Sequence, residues 1–279
     1  MSTHTVSYNN FNLEYRIIGV SDQPVVFPII AFHGFGRSAD DFSVFEPLLR
    51  QGEVIYSFNL FGHGNSTFPA DRKLVDSLSL SEFEELLAHI LDLLNITRFS
   101  FLAYSLGGKK ALIGTTMFAA RIDRLILIAP DGIKVNKFYA FISGTSLGRW
   151  IYKKTTKNPK PIFWVTDGLN ALGLLPDKLK KFVYHHMETQ ERRELVGKVW
   201  MIYRHFNPDI RKVQKLINQH RIQTLLIYGK YDNVIKPWQG EKFNAGLNQD
   251  ALHILESGHL LVAPATVRYL GEKNLWKKE

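Results

Sequence analysis

Cysteine is absent from the 279 residues, and its absence removes several chemistries at once. Disulfides, thiolate zinc sites, cysteine nucleophiles and prenyl or palmitoyl anchors are excluded. Long apolar runs are missing too. The longest, Val25 to Phe32 (VVFPIIAF), falls far short of the roughly 18 residues that cross a bilayer. The opening MSTHTVSYNNFNLEY lacks a basic start followed by an apolar stretch, so no secretory signal is read there and a cytoplasmic chain is expected. Neither a G-x-x-x-x-G-K-[ST] loop nor a G-x-G-x-x-G after the first buried strand is present, so no nucleotide cofactor is expected.

The rest is ordinary globular usage. Hydrophobic residues make up 45% and charged residues 22%, which argues against disorder. A chain of 279 residues fits about two average domains, or one α/β domain with a large insertion. Its core is large enough to need no disulfide or metal staple.

Charge is unevenly spread. Residues 131–221 hold 18 lysines and arginines against 7 acids, and the remainder holds 17 against 19. The basic excess therefore sits in the middle third. The plain reading is a solvated helical surface, and the sharper ones are an anionic surface or an anionic substrate. Aromatic residues are no denser there than elsewhere, and no nucleic-acid partner is expected. Within it, Ser146 to Lys160 (SLGRWIYKKTTKNPK) interleaves Trp150, Ile151 and Tyr152 with five basic residues. That segment suits either a covering helix or a weak contact with an anionic membrane.

Along the chain, Thr5 to Tyr8 and Leu13 to Ile18 read as a hairpin. Strand-like runs follow at Val25–Phe32, Val54–Phe58, Phe99–Tyr104, Leu125–Ala129, Thr224–Tyr228 and Ala251–Leu255. Helical periodicity separates them at Asp40–Arg50, Ser81–Asn95 and Gly107–Ala120, with a last helix from Ala263 to about Lys277. Ser81 with Glu84 reads as a capping box ahead of an apolar face of Phe83, Leu86, Leu87, Ile90, Leu91 and Leu94. This alternation predicts an α/β fold: a mostly parallel central sheet with helices on both faces. From Asp131 to Arg221 only helical patterns appear. Lys178–Tyr203 reads as one or two amphipathic helices. The expected organisation is a core of 1–130 and 222–279, with a helical insertion, 131–221, after the sixth strand.

Ligands of parallel sheets bind outside the carboxyl ends of the strands. The residues following those ends are His33-Gly34-Phe35-Gly36, Phe61-Gly62-His63-Gly64-Asn65-Ser66, Ala103-Tyr104-Ser105-Leu106-Gly107-Gly108, Gly229-Lys230-Tyr231-Asp232 and Glu256-Ser257-Gly258-His259. Serine, aspartate and histidine thus occur in chain order at three strand ends. The sequence here resembles the α/β-hydrolase fold family, over nearly the whole chain outside the insertion. In that family a nucleophile sits on a G-x-S-x-G turn and its partners follow in the order Ser, Asp or Glu, His. The resemblance implies Ser105 as nucleophile, Asp232 as acid and His259 as base. It implies the backbone N–H groups of Phe35 and Leu106 as oxyanion donors, and the basic insertion as a cap that roofs the pocket. It implies a small-molecule acyl substrate and no cofactor or metal.

Two departures stand out: Ala103 replaces the first elbow glycine, and Asn59 stands where many relatives carry an acid. Asp131, after the strand Leu125–Ala129, is a rival for the acid. The plainer readings make Ser105 a helix cap and Asp232 a turn residue. His33 and His63 fit loop-shaping roles. His185, His186 and His205 lack a carboxylate at ligand spacing and are read as surface, with no metal. The leading expectation is a serine hydrolase of a carboxylic ester or related acyl bond. Alternatives are C–C hydrolysis, elimination or peracid formation by the same residues, or a ligand-binding protein on this scaffold. Lys109 stands where the eliminating enzymes of menaquinone synthesis carry Arg.

Overall fold

The computed structural model describes residues 3–19, 25–69, 72, 76–175 and 177–276. β1 (Thr3–Tyr8) and β2 (Phe11–Ile18) form an antiparallel hairpin. Asn9 and Asn10 make its two-residue turn with φ of 45° and 65°, a conformation asparagine accepts more readily than other side chains. The sheet continues with β3 (Phe27–Phe32), β4 (Glu53–Phe58), β5 (Phe99–Tyr104), β6 (Ile122–Ile128), β7 (Gln223–Gly229) and β8 (Leu252–Leu255). Its spatial order is β1-β2-β4-β3-β5-β6-β7-β8. β2 meets β4 antiparallel, and every pairing from β4 through β8 is parallel. The expected α/β sheet is present. Every residue of β4 and β5 is buried, as in a central parallel strand covered on both faces.

Most elements fall where the periodicity puts them, and the exceptions have physical causes. β3 begins at Phe27, and the exposed Val25 and Val26 precede it. Residues 39–48 form 3₁₀ turns instead of an α-helix. Ala39, Phe42 and Phe45, all fully buried, recur every three residues, which is the 3₁₀ repeat. Pro47 lacks the N–H that an α-helix would use. α1 (Leu80–Leu93) starts one residue before Ser81, which puts Ser81 in the first turn rather than at the cap. α2 is Gly107–Phe118. α10 spans Pro264–Glu272, and the expected last-helix end at Lys277 lies outside the described residues.

Six helices lie between β6 and β7: α3 (Lys137–Gly144), α4 (Ser146–Lys157), α5 (Lys160–Ala171), α6 (Asp177–Met187), α7 (Gln190–Ile202) and α8 (Ile210–His220). α9 (Trp238–Asn244) joins β7 to β8. The chain divides into two compact units. One comprises 1–69, 80–134 and 206–279, and the other 70–79 and 135–205. Where the sequence reading expects an insertion of 131–221, the helical unit covers 135–205 and takes in 70–79 as well. α8 leaves it because Val213 and Ile217 bury an apolar stripe in the sheet unit, where α8 packs on α2. Within the helical unit, Trp200 packs its ring against Tyr139 and Tyr152. Asn136, Thr145 and Thr189 cap α3, α4 and α7 by accepting from Tyr139, Gly148 and Arg192 N–H, each cap worth about 1 kcal/mol.

At the amino ends of the sheet strands the sheet unit is closed by a buried ionic clasp. Arg124 of β6 pairs with Glu53 of β4 and donates to the Trp276 carbonyl. Trp276 in turn donates its indole N–H to Glu53 at 3.2 Å and stacks on Phe45. Burial alone would raise the Glu53 carboxyl, but the Arg50 hydrogen bond and the Arg124 charge hold it below its ordinary value. Arg124→Ala removes the buried cation of the pair and leaves the carboxylate to Arg50 and the Trp276 indole, and a loss of about 3 kcal/mol is expected in urea unfolding. The double replacement Glu53→Leu with Arg124→Met is expected to lose much less.

Candidate active site

Ser105 sits where the sheet order reverses. β3 is followed in sequence by β4 on one side, while β5 pairs on the other, so the β3 and β5 loops leave in opposite directions and open a crevice. The parallel ladder aligns Tyr104 with Ile128, and Ile128 with Ile227. Ser105 N–H extends it by donating to Ile128 carbonyl at 3.0 Å, as Ala129 N–H does to Ile227 at 2.8 Å. The three strand ends are therefore level.

The turn itself is strained. Ser105 has φ of 48°, a left-handed conformation costly for a residue with a Cβ. Hydrogen bonds hold it there: Gly108 and Asp131 N–H both donate to the Ser105 carbonyl at 2.8 Å. α2 starts so close to β3 that a Cβ on Gly107 would lie 1.9 Å from the Phe32 carbonyl oxygen. Ala103, the departure from the elbow pattern, lies within β5 opposite Phe32 and Leu127 and is fully buried. It has ordinary extended backbone, so its methyl group is accommodated. Of the two elbow positions, 103 and 107, the steric constraint falls on Gly107.

Three of the expected side chains meet. Ser105 Oγ lies 3.0 Å from His259 Nε2, and His259 Nδ1 lies 2.7 Å from Asp232 Oδ2. The Asp232 side chain is wholly buried, and its Oδ1 accepts from Val234 N–H at 2.7 Å and Ile235 N–H at 2.9 Å. That arrangement fixes the carboxylate and leaves Oδ2 for the imidazole. The rival Asp131 is engaged elsewhere, 3.2 Å from the buried Lys109 ammonium. Tyr104 also enters the site. Its hydroxyl donates to the His259 carbonyl at 2.9 Å, and burial pushes its pKa up to about 12, so it stays a donor. No spacing signals this contact, only the position next to Ser105.

The His33 loop lies beside Ser105. A Cβ on Gly34 would stand 3.0 Å from the Tyr104 ring and 3.2 Å from Ser105 Cβ. The following Phe35 sets its ring edge-on to His63, 5.7 Å away. Leu106 precedes α2, so its N–H is among the amides at a helix N-terminus that lack an intrahelical acceptor and favour negative charge.

Beneath the loop lies a polar scaffold that the sequence left obscure. Burial, and then His63, push His33 down to about 3, and burial with Lys110 pushes His63 down to about 4. Both rings are therefore neutral and accept. His33 Nε2 takes Leu60 N–H at 3.0 Å and its Nδ1–H faces the Gly34 carbonyl at 2.7 Å. His63 Nε2 takes Gly36 N–H at 2.9 Å. The missing acid at Asn59 is supplied by Glu14 of β2. Its Oε2 accepts from Asn59 Nδ2 and from Asn65 N–H, both at 2.7 Å. Asn59 Oδ1 accepts Ala39 N–H at 2.7 Å. The paired histidines His185 and His186 adjoin one another on α6, and no cluster of three ligating groups occurs among the described residues.

This fold and these strand-end loops define a class. The chain belongs to the alpha/beta hydrolase fold family, whose model matches residues 28–264. It is 26% identical over 161 residues to abhydrolase domain-containing protein abhd-5.2 of Caenorhabditis elegans, covering 56% of this chain and 33% of that one. It is also 26% identical over 144 residues to putative esterase/lipase 2 of Mycoplasma pneumoniae, covering 51% of each. The chain thus spans about half or less of the length of these relatives. Among solved structures, an alpha/beta hydrolase enzyme from a Medee basin deep-sea metagenome library superposes with a TM-score of 0.68 at 17% identity, over 99% of this chain and 98% of that one; the likeness is one of fold.

Gly107→Ala is expected to abolish soluble, folded protein, because the Phe32 backbone cannot retreat without leaving the sheet. Ala103→Gly is expected to fold and to lose about 0.5–1 kcal/mol in thermal unfolding, the entropy cost of a strand glycine. The neutral histidines set a pH dependence. Their folded pKa values lie below the ordinary 6.5, so stability is full above that value and falls on acidification, as the unfolded chain takes up protons that the folded chain refuses. Each histidine contributes a slope of up to about 1.4 kcal/mol per pH unit between roughly pH 6 and 4. Urea unfolding from neutral to mildly acid pH checks this, and a flat profile contradicts it.

Proposed function

We propose that the protein is a cofactor-independent serine hydrolase that cleaves a carboxylic ester or related acyl bond, with a small to medium, partly apolar substrate. The observation that carries this reading is the continuous hydrogen-bonded chain from Ser105 through His259 to Asp232, built on a strained turn at a sheet crevice. In this reading Ser105 Oγ attacks the acyl carbon while His259 Nε2 takes its proton. Asp232 holds the ring with Nδ1–H toward itself and stabilises the imidazolium. The carbonyl oxygen becomes an oxyanion, which the N–H groups of Phe35 and Leu106 receive, each donor worth about 3 kcal/mol in the transition state. The alkoxide leaves with the proton from His259, and the acyl group remains on Ser105. Water, deprotonated by His259, then releases the acid and restores the serine.

The esterase/lipase name of a Mycoplasma relative agrees with this reaction class. Lys109 bears on the elimination alternative: it is buried and ion-paired with Asp131, which favours hydrolysis over a role for Lys109 toward an acidic substrate. The helices of that unit, α3 to α7, correspond in chain position, between β6 and β7, to the family's cap.

The test is covalent labelling with a fluorophosphonate, read by intact mass. Wild type is expected to gain one adduct and Ser105→Ala none, with an unchanged melting temperature. Asp232→Asn is expected to keep the fold and to lose about 10⁴-fold in ester turnover, as a mis-set imidazole tautomer does. A labelled Ser105→Ala protein overturns the assignment of the nucleophile, and unlabelled, folded wild type overturns the catalytic reading.

A further inference from the structure

α5 carries an apolar stripe on its solvent side. Pro161, Trp164, Val165, Gly168, Leu169 and Leu172 follow the i, i+3, i+4, i+7, i+8, i+11 progression of one helical face, the spacing normally turned inward. Here that face is turned out: Trp164 is 73% exposed, Val165 60%, Leu172 73%, and Leu174 just beyond the helix 70%. The other face is taken up by contacts within the helical unit, Phe163 stacking on Tyr184 of α6 at 4.4 Å. Thr166, buried, donates to the Ile162 carbonyl. Asp167 accepts from Lys180 at 2.8 Å and from Tyr184 at 2.7 Å, both on α6. An exposed stripe of this size is a contact surface rather than scattered surface leucines.

Charge indicates what covers it. The exposed face of α4 runs from Leu147 and Trp150 to Lys153, Lys154 and Lys157, and Lys160 opens α5. Between 146 and 172 there are five basic residues and one acid, Asp167, already paired with Lys180. Across 135–205 the count is 13 basic residues against 5 acids. Apolar residues and tryptophan beside clustered lysines match a bilayer interface with anionic headgroups, where the stripe enters the acyl boundary and the lysines stay among phosphates. A second copy of this chain would bring like charges together. A nucleic acid would leave the apolar stripe uncovered, since such interfaces are polar. No helix among the described residues is long and apolar enough to cross a membrane. At 12 residues, α5 is about 18 Å long, which suits lying in the interface.

We propose that α5, with the lysines of α4, docks on an anionic lipid bilayer. This goes beyond the hydrolase reading and does not depend on it. The experiment is co-sedimentation of the whole chain with phosphatidylcholine vesicles, with and without about 30% phosphatidylglycerol, at low and high salt. The doubly substituted Trp164→Ser, Leu172→Ser chain is the comparison, with circular dichroism as a folding check. Expected are binding at least about tenfold tighter to the anionic vesicles, weakening at high salt, and at least about tenfold weaker binding of the variant. Tryptophan emission should shift to the blue on binding in wild type, and less in the variant. Equal binding to neutral vesicles, no binding by wild type, or undiminished binding by the folded variant each overturns the proposal. So does a wild-type dimer or an oligonucleotide complex that the substitutions abolish in the absence of vesicle binding. Turnover of a short-chain, water-soluble ester is expected to be the same in both proteins; its absence from both counts against the hydrolase reading and leaves the vesicle result standing.

Discussion

The approach of α2 to β3 is the constraint on which the carboxyl end of the sheet depends. With no side chain at Gly107, the helix backbone rests against the Phe32 carbonyl. That closeness makes the turn between β5 and α2 too sharp for ordinary dihedrals and leaves Ser105 at positive φ. The same sharpness lets α2 begin two residues after Ser105 and keeps the Ser105 backbone bonded to the end of β6. A looser turn would relieve the serine and lose both effects. The strain is held by hydrogen bonds from three directions, and β6 provides one of the partners.

A second layer of the design is the use of neutral groups under the crevice. His33 and His63 are buried and uncharged, and they work as acceptors for loop amides. Glu14, the nearest carboxylate of this layer, is surrounded by Asn59 and Asn65 donors and lies close to Arg16. The Gly36 amide of the loop that carries Phe35, and the Leu60 amide, are thereby met by uncharged acceptors. Neutral acceptors place no negative charge of their own beside that loop.

Much of the fold and the candidate site was legible in the sequence, and the reasons differ by element. The buried strands announced themselves as unbroken apolar runs, because a parallel strand has no solvent face to vary. Ser105, Asp232 and His259 were legible because strand ends gather at one edge of a parallel sheet, so residues far apart in sequence share an address. The 3₁₀ turns at 39–48 resemble an α-helix in sequence, since Leu48 and Leu49 blur a spacing of three into one of 3.6. The helical unit's limits were obscure because α8 carries the same basic, amphipathic pattern as its neighbours and differs only in what it packs against. The partnership of Glu14 with Asn59 had no sequence signal: the two residues are 45 positions apart, and antiparallel pairing of β2 with β4 alone brings them together.

The link from the Tyr104 hydroxyl to the His259 carbonyl has a mechanical meaning. β8, the strand that leads to His259, has four residues and lies at the rim of the sheet with a neighbour on one side only. A side chain placed solely by such a strand would inherit every fraying motion of the rim. Tyr104 belongs to the innermost strand and adjoins Ser105, so the imidazole takes its reference frame from the middle of the sheet. The backbone that carries the ring is thus tied to the Ser105 strand by one rigid phenol, as a strut ties two beams.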